Sequence, residues 1–114
     1  MNQTNVSIEP CSKVENRAGC LSSALDIIGD KWSALLLGQL IDEKRTFSQL
    51  EKSLVGISPR TLSARLDKLT DHNILKKEIY CEHPPRFRYC LTEKGSELQD
   101  ILRAMGEWGD KHHF

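Results

Sequence analysis

The segment Gly56-Ile57-Ser58-Pro59-Arg60-Thr61-Leu62-Ser63-Ala64-Arg65-Leu66 places hydrogen-bond donors and small side chains at helical spacing. Ser58 can accept a hydrogen bond from the free N–H groups of the following turn, and Pro59 suits the first helical position, where a missing N–H costs nothing. A helix is therefore expected to start here. Behind Ile57, the residues Leu62, Leu66 and Leu69 make one apolar stripe, which leaves Arg60, Thr61, Ala64, Arg65 and Lys68 outward. Ser63 either joins them or turns inward. Such a face has cations and hydroxyls but no large apolar group, and its chemistry is that of a helix entering a DNA major groove, where each base pair shows a different donor and acceptor pattern. Arg60 and Arg65 are the candidates for base or phosphate contact. Ser58, Thr61 and Ser63 suit phosphate hydrogen bonds, and Ala64 permits close approach or a contact with a thymine methyl.

A second basic pair follows. Arg86 and Arg88 are two apart in an alternating run and so share one face of an expected strand. At the tip of a hairpin they would lie along a nucleic-acid backbone or reach into the minor groove, with His83 as a secondary candidate. Ion pairing with Glu78 or Glu82 across the hairpin is the alternative role.

The elements that would position these groups are legible in order. Leu21, Ala24, Leu25 and Ile28 have helical spacing, and Gly29 can close that helix. Asp30 then caps a helix from Lys31 to about Ile41, whose Trp32, Leu35, Leu36 and Leu40 are expected in the core. After the charged turn Asp42-Glu43-Lys44-Arg45, Thr46 and Gln49 fit a capping box for a short helix to about Leu54. Gly56 supplies a tight connection to the Ser58 helix, which is the helix-turn-helix pattern, and Asn73 can end that helix in the left-handed conformation. Leu75 to Cys81 and Arg86 to Leu91 alternate and read as two strands, joined by the loop Glu82-His83-Pro84-Pro85. Thr92 should cap one final helix carrying Leu98, Ile101, Leu102, Met105 and Trp108 on a stripe. The expected fold is mainly α with a small β-hairpin wing, a winged helix-turn-helix, organised as a flexible arm (1–17), a DNA-binding domain with terminal dimerisation helices (18–110) and a tail (111–114).

Composition narrows the function. The chain has 114 residues, with 16 basic and 16 acidic side chains, so no overall field draws it to a polyanion. Between Ser58 and Arg88, however, seven basic residues face four acidic ones. A locally basic middle suits a protein that meets phosphates with one face. No apolar run spans a bilayer and no signal-peptide core is present, so a cytoplasmic protein with no membrane partner is expected. A stripe bearing Met105 and Trp108 is hard to hide in a domain this small, which points to a second copy as partner.

Four cysteines, Cys11, Cys20, Cys81 and Cys90, are then expected as resting thiols. Cys11 and Cys20 sit on or beside the arm, where Lys13 and Arg17 favour the reactive thiolate, and they are candidate redox thiols. Cys81 and Cys90 read as packing residues. The cysteine spacings do not suit structural zinc, and no base or oxyanion site accompanies any cysteine, so neither a metal, a cofactor nor an enzyme is expected. A winged helix used only for protein contact is the rival reading. It would call for aromatic or large apolar anchors on the Ser58 helix, and none is there.

Four segments carry a family resemblance: Ala24-Leu25-Asp26-Ile27-Ile28-Gly29-Asp30-Lys31-Trp32, Thr46-Phe47-Ser48-Gln49-Leu50, the Gly56–Leu66 stretch, and Pro84-Pro85-Arg86-Phe87-Arg88-Tyr89 leading into Leu91-Thr92-Glu93-Lys94-Gly95. In this order they resemble the HxlR family of small bacterial winged helix-turn-helix transcription regulators, relatives of the MarR type, over about Cys20 to Trp108. The resemblance implies a homodimer on a double-stranded DNA operator near promoters. Its first and last helices would form the dimer contact, through Leu21 and Leu25 on one and Leu98, Ile101, Leu102, Met105 and Trp108 on the other. It also implies an oxidant or small-molecule effector, since some members sense electrophiles or oxidants through an N-terminal cysteine. Cys20 lies near that place and Cys11 further out. Departures fall at Asp30, Asp42-Glu43 and Asn73, where the family often has Gly, Gly-Pro and Gly, and none touches the outward face of the Ser58 helix.

Overall fold

Local hydrogen-bond chemistry sets most boundaries in the computed structural model, which describes residues 14–112, with side chains from Cys20 onward. The elements are α1 (Val14–Ile28), α2 (Lys31–Gln39), α3 (Phe47–Ser53), α4 (Pro59–Asp71), β1 (Leu75–Glu82), β2 (Pro85–Leu91), α5 (Glu93–Ser96) and α6 (Gln99–His112). They fall into two compact units, one ending at Lys31 and the other starting at Trp32. In the first, α1 begins at Val14, inside the stretch read as an arm, and Gly29 closes it by donating its N–H to the Leu25 carbonyl at 2.7 Å. Leu21 and Leu25 are exposed on it. Residues 1–13, with Cys11, and the last two residues of the tail lie outside the described residues.

In the second unit, α2 is buried along Ser33, Leu36 and Leu37, and Leu40 in the turn after it is buried too. This corrects the expectation for Leu35, which is 46% exposed, and for Trp32, which is half-buried. At about 100° per residue, Leu35 points roughly 150° away from the direction between Leu36 and Leu37, and Trp32 falls at the margin. The capping box of α3 forms as expected: Thr46 Oγ1 accepts the Gln49 N–H at 3.2 Å and Gln49 Oε1 accepts the Thr46 N–H at 2.9 Å. Gly56 adopts φ +94°, a region closed to most side chains, and so allows the tight turn into α4.

The far end of α4 closes with a complete left-handed cap. Asn73 has φ 61°, its N–H reaches the Thr70 carbonyl at 3.0 Å, and the Ile74 N–H reaches the Leu69 carbonyl at 2.9 Å. The next three carbonyls are all received by one segment. Lys94 Nζ donates to His72 O at 2.9 Å, Thr92 Oγ1 to Asn73 O at 2.6 Å, and the Thr92 N–H to Ile74 O at 3.0 Å. Gly95 lies so close that a Cβ there would collide with the Ile74 carbonyl oxygen.

β1 and β2 pair antiparallel, with Lys77 opposite Tyr89, Glu78 opposite Arg88 and Ile79 opposite Phe87, and a bulge between Ile79 and Cys81. Arg45 adds a short third rung by exchanging both backbone hydrogen bonds with Tyr89, at 3.1 and 2.7 Å. Two expectations need correction. The connection is shorter than Glu82–Pro85, because Glu82 and Pro85 pair and only His83 and the cis-bonded Pro84 form the turn. A proline can open a strand, where its absent N–H breaks no ladder bond. The single last helix is also two: Glu97 N–H is shared between Glu93 O and Lys94 O at 3.3 Å, and Leu98 N–H bonds Gly95 O in a tighter i to i+3 turn. No residue of α6 is buried; Ile101, Met105 and Trp108 are exposed, and Leu98 and Leu102 are half-buried. Among the described residues, no helix is long and apolar enough to cross a membrane.

Two glycine substitutions check this packing in opposite directions. Gly95→Ala should lower unfolding stability in urea by about 1–3 kcal/mol through overpacking against the backbone. Gly38→Ala, in α2 with nothing within 4 Å of the added carbon, should raise it by up to about 1 kcal/mol.

Candidate nucleic-acid interface

The first turn of α4 is built by Ser58. Its Oγ accepts the Thr61 N–H at 3.0 Å and donates to Thr61 Oγ1 at 3.0 Å, so both hydroxyls are organised by the cap. Leu62, Leu66 and Leu69 are buried. Turning that stripe inward leaves Arg60, Ser63 and Ala64 exposed and Thr61, Arg65 and Lys68 half-buried on the other side. Ser63 thus belongs to the outward face. The face is mainly donors and small groups, with the exposed Asp67 carboxylate among them, on a helix fixed at both ends.

On the hairpin, the two arginines that the alternation pairs have different surroundings. Arg86 is exposed near the turn, as is His83. Arg88 is half-buried, its Nε donates to Glu78 Oε1 at 2.8 Å, and its guanidinium lies over the Tyr80 ring, 5.7 Å from the centroid. The same Glu78 oxygen accepts Lys44 Nζ at 2.9 Å. Of the two roles open to the pair, ion pairing therefore describes Arg88, and backbone or minor-groove contact remains for Arg86. The Lys44 hydrogen bond first and the Arg88 one second hold the Glu78 carboxyl down from the ordinary 4.5 to about 2. On the other face of the hairpin, Lys77 Nζ sits over the Phe87 ring at 4.7 Å.

Lys44 is the residue that motif reading did not single out. It lay in a charged run read as a turn, and its partner is 34 positions away, so no local spacing signals the pair.

The cysteines separate into two groups. Cys90 is buried, and burial, then the Glu78 charge, pushes its thiol up, which suits a packing role; Cys81 is also a free thiol. Cys20 is disulfide-bonded, contrary to the expectation of a resting thiol there. Among the described residues, no cluster of His, Cys, Asp and Glu is arranged to hold a metal.

The model of the HxlR-like helix-turn-helix family matches residues 27–113, a span that takes in every element from the end of α1 onward. The chain belongs to the HxlR-like helix-turn-helix family. It is 38% identical over 95 residues to the HTH-type transcriptional regulator YdeP of Bacillus subtilis, covering 82% of this chain and 74% of that protein. Among solved structures, the oxidized form of the redox regulator HypR superposes with a TM-score of 0.77 at 35% identity, covering 81% of this chain and 95% of that one. The reduced form of the transcriptional regulator YodB from B. subtilis gives 0.72 at 30% identity, over 81% and 90%. This HxlR-family protein is thus a winged-helix transcriptional regulator with a DNA-binding fold, and its relatives are regulators rather than enzymes.

The Glu78 node carries a pH signature. Its folded pKa lies below the unfolded one, so the native state binds fewer protons between the two, and the stability it contributes is complete above about 4.5 and is lost as pH falls through about 2. The stability gap between the parent and Glu78→Gln, read by urea unfolding, should therefore be widest at neutral pH and shrink across that acidic window. A gap of constant size would contradict the assignment.

Proposed function

We propose that this regulator binds a pseudo-palindromic operator as a homodimer, inserting α4 into the major groove and laying the hairpin along the neighbouring backbone. The observation that carries the reading is the outward face of α4, with Arg60, Ser63 and Ala64 exposed, Thr61, Arg65 and Lys68 beside them, and no large apolar anchor of the kind a protein-binding face uses. Ser58 serves chiefly to set the helix start, and Arg86 and His83 supply the wing contacts. The exposed stripe of α6, with Leu21 and Leu25 of α1, supports a second copy as partner. A two-fold dimer would set its reading helices about 34 Å apart, one turn of DNA. We place its work in the cytoplasm, where operators are.

The regulation we propose is oxidative, through Cys11 and Cys20. Support comes from the disulfide at Cys20 and from the redox regulator HypR among the similar structures. Two thiols become one disulfide by giving two protons and two electrons to hydrogen peroxide, which leaves as two waters. Cys20→Ser should abolish any oxidant-dependent change in operator affinity, with non-reducing electrophoresis reporting the lost disulfide.

The deciding experiment is operator binding by Arg60→Ala/Arg65→Ala. Specific binding should disappear with the circular dichroism spectrum unchanged, and retained affinity would refute the groove assignment. Arg86→Ala should flatten the salt dependence by about one unit, because each phosphate neutralised contributes roughly 0.9 to the slope.

A further inference from the structure

Where the loop before α3 meets the hairpin, Lys44, Thr46, Gln49, Tyr80 and Arg88 line a cavity of about 210 Å³. Hydrogen bonding within its walls is one-sided. Most of the acceptors in and beside it are engaged: Thr46 Oγ1 takes the Gln49 N–H, Gln49 Oε1 takes the Thr46 N–H, and Glu78 Oε1, behind the wall, takes Lys44 Nζ and Arg88 Nε. Its donors are left over. Lys44 retains two ammonium protons, Arg88 both terminal nitrogens, Gln49 its amide nitrogen, and Thr46 and Tyr80 their hydroxyl protons. Two cations against one carboxylate also leave net positive charge at the mouth. A wall whose open donors and positive charge outnumber its one open acceptor, the Tyr80 hydroxyl oxygen, fits an oxyanion.

We propose that this cavity seats a backbone phosphate of the bound DNA, a contact additional to the α4 face and to Arg86. The proposal rests on the DNA-binding reading above. Three features favour a phosphodiester over a small free anion. The cavity is open to solvent on one side, so an anion seated in it can carry substituents that run out of the mouth, as a backbone phosphate does. Lys44 precedes the helix that the Gly56 turn joins to α4, so the cavity adjoins the reading unit. Arg86 and Arg88 share a strand face and are about 7 Å apart along it, close to the separation of successive phosphates on one strand. Glu78 then acts as a spacer that holds Lys44 and Arg88 apart and aimed before DNA arrives.

The test is a duplex titration over a salt series with two variants. Lys44→Gln keeps a donor for Glu78 but removes the charge, and should flatten the slope by about 0.9. Tyr80→Phe removes only a hydroxyl and should weaken binding about tenfold with the slope unchanged. Wild-type slope and affinity in both variants would overturn the subsite while leaving the α4 assignment standing, whereas no duplex binding by the parent protein would overturn both. Inorganic phosphate titrated against the free protein forms the second arm. Shifts of the Tyr80 and Arg88 NMR signals at low millimolar phosphate, with an unaltered salt series in the variants, would assign the cavity to a free anion and overturn the backbone contact.

Discussion

The corner where α4 turns into β1 leaves three successive carbonyls, those of His72, Asn73 and Ile74, without helical partners, and the segment Thr92 to Lys94 receives all three. The end of α4 and both hairpin strands depend on this junction. It joins the end of α4, the start of β1 and the chain leaving β2 in one hydrogen-bonded knot. Gly95 lets the two backbones meet at that distance. Ile74 is buried, so leaving its carbonyl without a partner would cost roughly 1–3 kcal/mol, whereas the exposed His72 and Asn73 carbonyls could turn to water.

Charge is distributed by a similar division of labour. With no net charge overall, the protein has no long-range field to spare, and each cation counts by where it is held. Arg88 and Lys44 are tied by one carboxylate oxygen of Glu78, while Arg86, two residues along the same strand, stands exposed. Identical side chains are thus held differently, Arg88 fixed by cross-strand pairing and Arg86 left outside that pairing.

How much of this was readable from the chain follows from the range of each interaction. The caps at Thr46 and Ser58, the left-handed turns at Gly56 and Asn73 and the buried face of α4 were legible because each is settled within a few residues. In Ala34-Leu35-Leu36-Leu37 the apolar residues are continuous, so periodicity could not tell that Leu37 is buried and Leu35 exposed. The break between α5 and α6 was not legible because one glycine inside a helical pattern does not by itself end a helix; it follows the close approach of Gly95 to Ile74. The outward residues of α4 were read as a set, and Lys44 was missed because Glu78 lies on another element.

The reading helix is closed at both ends by its own neighbours, by Ser58 and Pro59 at the start and by Asn73 at the finish. A helix of this length on its own would be only marginally formed in water. Held in this way, α4 would reach a groove already shaped under the proposed binding mode, leaving little backbone entropy to lose and discrimination between sequences to side-chain fit. In that mode, an effector that loosened either cap would weaken binding to every sequence alike, whereas one that moved the helices of a proposed dimer relative to each other would change which spacing is read.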